Sequence, residues 1–300
     1  MALIAHKFGG SSLADTKCIA LVADRLLARD DGAQVVVVSA MAGVTNALIA
    51  LAQDAAQQNP GWPDRLADLH QRHLDTAAAL CGEHACLAPL KSSLSQRFGL
   101  LEQLLDSLGL MRSAPTEAVE LISGLGEVCC AELLCGRLHA LGQPAEFLDA
   151  RDVLRVRPTA LMVAVDWADS QARVDAFRAT HPSKRYVITG FVCRRNDGRI
   201  STLGRNGSDY SATIFGRLFG AEEIHIWTNV DGLLSADPGQ VPDAFLLDQL
   251  SYREAFELAY FGARVIHPQA LTPALESNLP VFVRNTFNPD CPGTRIDDIG

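Results

Sequence analysis

Positive charge and long apolar segments are both scarce in this sequence. Its 300 residues carry 26 Lys and Arg against 35 Asp and Glu, a formal net charge of −9 at pH 7. An acidic chain has little electrostatic attraction for nucleic acid or anionic membranes, and no apolar run is long enough to cross a bilayer. We therefore expect neither as a partner, and an anionic ligand would need cations gathered at one place.

Signals for secretion and for metal binding are missing as well. The N-terminal residues lack the basic segment and the long apolar segment of a signal peptide, and the eight cysteines include no Cys-x-x-Cys pair. Cys81 and Cys86 flank His84, but this spacing fits no common zinc site. We expect reduced, mostly buried thiols, no side chain that binds a metal, and a cytoplasmic location.

Short apolar runs alternate with helical patterns along the chain. The runs that predict strands cover residues 3–8, 35–40, 143–149, 186–191, 223–228 and 280–286. Strands separated by helices predict an α/β fold, namely a three-layer αβα sandwich with a mostly parallel central sheet. Residues 1–290 are expected to form one domain with a leucine-rich helical insertion at about 60–112. Residues 291–300 have the composition of a domain end or linker.

Residues 203–212 combine glycines, charge and a hydroxyl directly before a helical pattern. The exposed N–H groups and the dipole of a helix N-terminus favour an anion beside Ser208 and Asp209. Arg205 offers a fork that suits a carboxylate or a phosphate. The same residues also fit an ordinary turn followed by a helix that Ser208 or Asp209 caps. This stretch alone does not decide between the two interpretations.

Residues 7–12 have the order of a phosphate-binding turn: a strand, a glycine pair, hydroxyls and then a helical pattern. Gly9, Gly10 and Ser11 could present backbone N–H groups with no Cβ in the way, and Lys7 could place its ammonium on a phosphoryl group. The lysine precedes the glycines, so this is not a Walker A motif, and the dinucleotide fingerprint is absent. A tight β-to-α turn with a solvated lysine is the alternative.

Further polar side chains follow predicted strand ends or a helix break. Ser39 and Thr45 lie in the small-residue loop 39–46, which leads into a helix, and Thr228 ends a strand before a polar loop. Glu127 directly follows a glycine break in the helical residues 116–141 and could accept a ligand ammonium. For each of these residues, the alternative to ligand binding is an ordinary structural role in a loop or at a helix start. Because the carboxyl ends of parallel strands meet at one edge, we expect a single shared site.

Residues 7–12, 204–212, 227–232 and 261–268 together resemble the aspartate kinases, which have the amino acid kinase fold. The resemblance covers nearly the whole chain, and in detail it is similar to the kinase half of the bifunctional aspartokinase–homoserine dehydrogenases. It implies phosphoryl transfer from MgATP to the β-carboxylate of L-aspartate, giving 4-phospho-L-aspartate on the route to lysine, threonine and methionine. ATP and Mg²⁺ would be the cofactors and L-aspartate the small-molecule partner.

The resemblance also implies a role for each candidate residue. The catalytic residues would be Lys7, which bridges the transferring phosphoryl group, and Asp209. The nucleotide would be held by Lys7, Gly9, Gly10, Ser11, Thr228, Asn229 and Arg264. The substrate would be held by Ser39, Thr45, Glu127, Arg205, Ser208 and Asp209. No catalytic base is needed, because the acceptor carboxylate is ionised at neutral pH.

Departures from the family pattern fall on the nucleotide side. The family usually has Asp at Asn229, Tyr at Leu234, Arg at Gly239 and Lys at Arg264. Arg and Lys are not interchangeable at a phosphate, and each lost charge-assisted contact would cost about 1.5–3 kcal/mol. We therefore expect weak ATP binding, whereas the aspartate side matches the family.

Two further expectations concern regulation and the competing functions. No counterpart of the family's regulatory domains lies within residues 1–300, so the chain alone is expected to be insensitive to lysine and threonine. Homo-oligomer formation stays open. The competing functions are a relative that phosphorylates another carboxylate, such as glutamate, and a kinase-like module that binds aspartate without turnover.

Overall fold

The computed structural model describes residues 2–28, 32–159, 163–204, 206–237, 239–260 and 267–299. Its strands are β1 (Leu3–Phe8), β2 (Ala33–Val38), β3 (Glu146–Leu148), β4 (Arg155–Pro158), β5 (Val163–Val165), β6 (Arg185–Thr189), β7 (Val192–Arg195), β8 (Ile200–Thr202), β9 (Glu223–Thr228), β10 (Gln249–Ser251), β11 (Val281–Asn285) and β12 (Thr294–Asp297). Its helices are α1 (Thr16–Ala28), α2 (Val44–Ala56), α3 (Trp62–Cys81), α4 (Leu87–Met111), α5 (Thr116–Ser123), α6 (Leu125–Ala140), α7 (Ala150–Val153), α8 (Trp167–Thr180), α9 (Gly207–Phe219), α10 (Tyr252–Tyr260) and α11 (Pro268–Glu276).

The central sheet has the strand order β10-β12-β11-β9-β1-β2-β6-β3. Its described strands pair in parallel, except that β11 and β12 run antiparallel. Phe8 at the end of β1 is level with Val38 on β2 and with Trp227 on β9, so the carboxyl ends of these strands meet at one edge. The predicted αβα sandwich with a mostly parallel sheet is confirmed.

Alternation along the strands divides the buried apolar residues into one core on each face of the sheet. Val36 and Val38 pack with α1, α2, α3, α4 and α6. Val35 and Val37 point the other way and pack with α8, α9, α10 and α11. Because both faces are covered, the strand shows a continuous apolar run rather than alternation with polar residues.

The helical insertion predicted near residues 60–112 corresponds to α3 and α4. Both helices pack their leucines into the core that α1, α2 and α6 share. Gly82 ends α3 with a φ of 54°, a conformation that suits glycine. The insertion is therefore a part of the α layer on one face of the sheet. None of the helices in the described part of the chain is both long and apolar enough to span a membrane.

Two stretches differ from the sequence-based expectation. Residues 151–170, predicted to be irregular, contain α7, β4 and β5, and these strands belong to a small second sheet with the order β5-β4-β7-β8. In residues 291–300, expected to be a domain end or linker, Thr294–Asp297 forms β12 in the central sheet, paired with both β10 and β11. The proline of this stretch belongs to the turn before β12. The strand itself has only four residues, too few to show a recognisable pattern.

Candidate active site

A cavity of about 540 Å³ lies at the carboxyl ends of β1 and β2, against the start of α9. Its walls come from segments far apart in the sequence. They are Lys7 and Gly10, the residues from Ser39 to Asn46 other than Val44, Glu127, Phe191, Gly204, and the residues from Asn206 to Asp209. Of the predicted site residues, the cavity therefore brings together Lys7, Gly10, Ser39, Thr45, Glu127, Ser208 and Asp209.

Lys7 reaches the cavity because of its place near the end of β1. Leu3 and Ala5, which alternate with it, pack in the core that contains α9, so the pleat directs Lys7 toward the same helix. Its Nζ lies 2.6 Å from Oδ1 of Asp209, and the two side chains are only 12% and 11% exposed. Asp209 is in the first turn of α9, where the helix dipole stabilises a carboxylate. The pair holds one cation and one anion at the cavity wall.

The glycines after β1 allow the backbone to approach its neighbours closely. A Cβ on Gly9 would lie 3.2 Å from Nζ of Lys7, and a Cβ on Gly10 would lie 3.2 Å from the carbonyl oxygen of Ala40. Both positions would be crowded by any larger residue. Gly9 thus lies directly beside the lysine ammonium, although Gly10 is the one that lines the cavity.

The two serines of this turn have different surroundings. Ser11 is exposed. Ser12 is buried, its N–H donates to Gly9 O at 2.9 Å, and its hydroxyl lies 2.7 Å from that of Thr286. Ser12 therefore fastens the turn to the chain after β11, while Ser11, the predicted phosphate contact, stays open to solvent outside the cavity lining.

The start of α9 differs from a side-chain-capped helix. Its N-cap is Asn206, with φ 56°, and no side chain accepts a capping hydrogen bond there. The interpretation of Ser208 or Asp209 as the cap is therefore wrong, because both lie inside the first turn. A Cβ on Gly190 would lie 3.1 Å from Oγ of Ser208 and 2.8 Å from the carbonyl oxygen of Val38. Glycine at 190 thus lets α9 begin against the ends of β2 and β6.

Glu127 is a buried carboxylate on the cavity wall. Gly124 separates α5 from α6, as the glycine break predicted, and Glu127 falls in the first turn of α6. Its side chain is 4% exposed, and among the described residues its Oε2 has no hydrogen-bond partner. Burial raises the pKa of Glu127 to about 8 from its usual 4.5, opposed by backbone N–H groups at Glu127 and Ala40. A cation in the cavity would relieve that cost.

Ser39 and Thr45 flank the loop that follows β2. The N–H of Ser39 donates to the carbonyl oxygen of Phe8 at 3.1 Å, which ties this loop to the end of β1. Thr45 is in the first turn of α2, whose N-cap is Gly43 with φ 80°. Both side chains are half-buried and line the cavity.

Two of the predicted nucleotide contacts, Thr228 and Asn229, lie beside the glycine turn but outside the cavity lining. Thr228 ends β9, next to the glycine turn, since the N–H of Gly9 donates to the carbonyl oxygen of Trp227 at 3.3 Å. The hydroxyl of Thr228 donates to Oδ1 of Asn229 at 3.3 Å, and neither residue lines the cavity. Arg205 and Arg264 lie outside the described residues.

Three of the four departures from the family pattern, Asn229, Leu234 and Gly239, lie in the loop between β9 and β10. Leu234 forms an isolated antiparallel bridge with Leu246. Gly239 is exposed, and its N–H donates to Oδ1 of Asp237 at 2.9 Å. Both residues are thus accommodated by local contacts within the loop.

The cavity residues that sequence reasoning did not select include two with a side chain and a positive φ, Phe191 and Asn206. Phe191 has φ 68°, unusual for a bulky residue, and is held by hydrogen bonds from its N–H to Oγ of Ser211 and from Leu203 N–H to its carbonyl. Nothing in its sequence context signals this conformation. The positive φ of Asn206 could have been predicted from the sequence, because asparagine tolerates this conformation better than most residues.

Comparison with known sequences identifies relatives of the whole chain. Residues 2–285 match the family model described as the amino acid kinase family. The chloroplastic bifunctional aspartokinase/homoserine dehydrogenase 1 of Zea mays is 36% identical over 293 residues, 97% of this chain and 32% of that protein. The bifunctional aspartokinase/homoserine dehydrogenase 2 of Escherichia coli K12 is 38% identical over 300 residues, 98% of this chain and 35% of that protein. The chain spans about a third of the length of these relatives.

The fold is also similar to a solved structure. The crystal structure of aspartokinase III from E. coli in complex with aspartate and ADP superposes with a TM-score of 0.87 and 28% sequence identity. The match covers 99% of this chain and 65% of that chain. At this similarity the sheet order and the helical layers can be equated between the two proteins.

Proposed function

The chain belongs to the amino acid kinase family, and from this premise we propose that it transfers the γ-phosphoryl group of MgATP to the β-carboxylate of L-aspartate. The products are ADP and 4-phospho-L-aspartate, an early intermediate on the way to lysine, threonine and methionine. The observation that carries the proposal is the convergence of Lys7, Asp209 and Glu127 on one cavity beside a glycine turn. Relatives named as aspartokinases support the choice of acceptor.

Acceptor binding follows from the charges around the cavity. The α-ammonium of aspartate would take the place beside Oε2 of Glu127, which has no partner among the described residues. The hydroxyls of Ser39 and Thr45 would contact the acceptor from the other loop. Arg205 would bind the α-carboxylate, as the family resemblance implies. The β-carboxylate is then left to react, and it is ionised at neutral pH without a general base.

Transfer between two anions depends on position and on charge neutralisation. An oxygen of the β-carboxylate attacks the γ-phosphorus as the bond to the bridging β,γ-oxygen breaks, and ADP leaves with that oxygen. Lys7 would stabilise the charge that develops between the reactants, a kind of preorganised contact that contributes strongly to catalysis. Asp209 holds the ammonium in place at 2.6 Å, and the Gly9–Gly10 turn offers backbone N–H groups beside it.

The nucleotide would extend from the glycine turn toward Thr228 and Asn229. No group of three Asp, Glu, His or Cys that could hold a metal lies together among the described residues. At nucleotide sites Mg²⁺ is commonly held by phosphate oxygens together with one or two carboxylates, so it would arrive here with ATP. When bound, it neutralises phosphate charge.

Trapping with hydroxylamine tests this function. The chain is incubated with ATP, Mg²⁺, L-aspartate and hydroxylamine, and aspartyl hydroxamate is measured beside ADP release. We expect hydroxamate that depends on both ATP and aspartate, and much less of it when glutamate replaces aspartate. Preference for glutamate would favour the other-acceptor alternative. Aspartate binding without hydroxamate would favour a non-catalytic module, for which the altered nucleotide loop is the motivating observation.

A further inference from the structure

The wall of the cavity contains a polar group to which neither the fold nor the family pattern gives a task. Asn206 lines the cavity and is exposed. Its backbone carbonyl accepts from the N–H groups of Asp209 and Tyr210. Its side-chain carboxamide has no hydrogen-bond partner among the described residues, and it does not cap α9.

The conformation of Asn206 explains why its side chain is available. An N-cap asparagine normally has extended backbone angles, and its side-chain oxygen then accepts from the N–H of the second or third helical residue. Asn206 instead has φ 56° and ψ 25°, the left-handed region. Glycine would fit that backbone at least as well, so the asparagine side chain is not needed to form the turn.

The position of Asn206 relates it to the reacting end of the cavity. The N–H of Asp209 donates to the carbonyl oxygen of Asn206 at 3.1 Å, so a single turn separates the two residues, and both line the cavity. Asp209 is paired with Lys7, which marks the place of phosphoryl transfer. Asn206 is thus about one helical turn away from that place on the same wall, comparable to the separation of the two carboxylates of a four-carbon dicarboxylate.

We propose that Asn206 is a specificity-determining residue, whose side-chain N–H₂ group donates a hydrogen bond to the α-carboxylate of the acceptor. This inference rests on the proposed function, and it adds a contact that the family pattern does not assign. With Lys7 at the β-carboxylate and Asn206 at the α-carboxylate, the distance between the two contacts selects acceptors by their length. A dicarboxylate with one more methylene group cannot satisfy both contacts at once.

Replacement of Asn206 by glycine tests the contact, because glycine keeps the backbone conformation and removes only the carboxamide. Loss of a hydrogen bond to a charged group should raise the KM and the Kd for L-aspartate about 10-fold, mainly without a matching fall in kcat. Asn206→Asp should raise them further, because its carboxylate repels the acceptor. Asn278→Gly is the matched control, since Asn278 is an exposed asparagine with φ 51° after α11. It should leave the KM within about 2-fold.

A substrate change identifies the atom that is bound. With the α-amide of L-aspartate as the ligand, the penalty of Asn206→Gly should shrink to about 2-fold or less, because the α-carboxylate is already gone. An equal penalty for aspartate and its α-amide would overturn the assignment, as would an unchanged KM and Kd for aspartate in Asn206→Gly. Measuring the Kd separates this proposal from the proposed kinase activity. If the wild type forms no hydroxamate but binds aspartate, and Asn206→Gly binds it more weakly, only the kinase activity is refuted. No aspartate binding to the wild type would overturn both.

Discussion

The ion pair of Lys7 and Asp209 gives the site its only predicted catalytic cation among the described residues. Both side chains are nearly buried, and a buried pair of this kind is strongly destabilised when one member is removed. The contribution of the pair to catalysis can therefore be separated from its contribution to stability only if both residues are varied.

Lys7→Ala should lower kcat by roughly 10³-fold, the effect typical of a lost charge-stabilising group. Aspartate binding should weaken by about 10-fold, because the contact of Lys7 with the β-carboxylate is lost, but it should survive, because Glu127 and the loop after β2 are untouched. The measurement is hydroxamate formation together with calorimetric titration of aspartate. Lys7→Ala combined with Asp209→Asn removes the unpaired carboxylate and keeps the test valid if the single variant unfolds. An active enzyme with Ala at position 7 would remove the lysine from the mechanism.

Glu127 predicts a pH dependence of stability. Its pKa is about 8 in the folded chain against a usual value of 4.5, so between these values the folded state retains a proton that the unfolded state has released. The free energy of unfolding therefore falls as the pH rises through this window. The Glu127→Gln variant cannot ionise at this position, so its free energy of unfolding does not fall for this reason.

The stabilisation of Glu127→Gln relative to the wild type should therefore be larger at pH 8.5 than at pH 5, measured as the difference in Tm. The variant should also bind aspartate at least about 10-fold more weakly at pH 8.5, because the ammonium loses its counter-charge. A Tm difference that stays constant from pH 5 to pH 8.5 would show that Glu127 is not shielded from water.

At the scale of single residues the sequence predicts chemistry better than placement. Lys7, Glu127 and Asp209 could be named as candidates, because charged residues next to glycine breaks and helix starts suit a ligand, but their roles came from the family resemblance. The division of tasks between Ser11 and Ser12 could not, because it depends on Thr286, which is distant in sequence. The true N-cap was missed for a related reason: a side-chain rule points to Ser208, whereas the left-handed backbone at Asn206 is a tertiary outcome.

Helix α3 connects the helical insertion to the site loops through one guanidinium. Nη2 of Arg72 donates to the carbonyl oxygen of Ala14, after the glycine turn, at 3.0 Å. It also donates to that of Ala42, in the loop after β2, at 3.2 Å. Arg72 is exposed, so the bonds contribute little to stability, but they fix two loops relative to each other.

Arg72→Ala should raise the KM for both aspartate and ATP by about 3- to 10-fold, since both loops lose one charge-assisted bond. The matched control is Arg65→Ala, on the same helix and paired with Asp54 away from the cavity. Steady-state kinetics and Tm are measured for both, and Arg72→Lys should recover part of the loss. If the two alanine variants show the same kinetic constants, α3 does not position the loops.

At the scale of elements, a long apolar run buried on both faces made a strand easiest to predict. The apolar runs of β1, β2, β6 and β9 are buried on both faces and stand out from their surroundings. The strands β4, β5 and β12 have only three or four residues, some of them exposed. β4 and β5 pair with each other, and β12 pairs with β11 and β10, but runs of three or four residues are too short to indicate these pairings from sequence.

Across the whole molecule, the position of the cavity follows from strand order. β1 lies between β2 and β9, and the helices that follow β1 and precede β9 cover opposite faces of the sheet. A crevice forms outside the strand ends at such a switch point, the usual place for ligands in open α/β sheets. The sequence could therefore predict a shared site at this edge without predicting which segments close it.

The extension of the sheet to β12 predicts a coupling between the last strand and the nucleotide loop. The hydroxyl of Thr294 accepts from the N–H of Leu233 at 2.8 Å and donates to the carbonyl oxygen of Leu247 at 2.6 Å. It thus joins both ends of the loop between β9 and β10.

Thr294→Val keeps the shape and removes both bonds. The free energy of unfolding should fall by about 1–3 kcal/mol, and the KM for ATP should rise, whereas Thr294→Ser should behave nearly like the wild type. Chemical denaturation and steady-state kinetics provide the measurements. A valine variant with wild-type stability would mean that β12 is not an integral strand of the domain.

In the proposed mechanism both reactants meet in one cavity, on either side of Lys7. A crystal structure of the chain with L-aspartate and a non-hydrolysable ATP analogue tests it most directly. We expect the aspartate ammonium against Oε2 of Glu127, with the β-carboxylate and the terminal phosphoryl group both contacting Nζ of Lys7. Aspartate or the analogue bound at another surface, with this cavity unused, would contradict it.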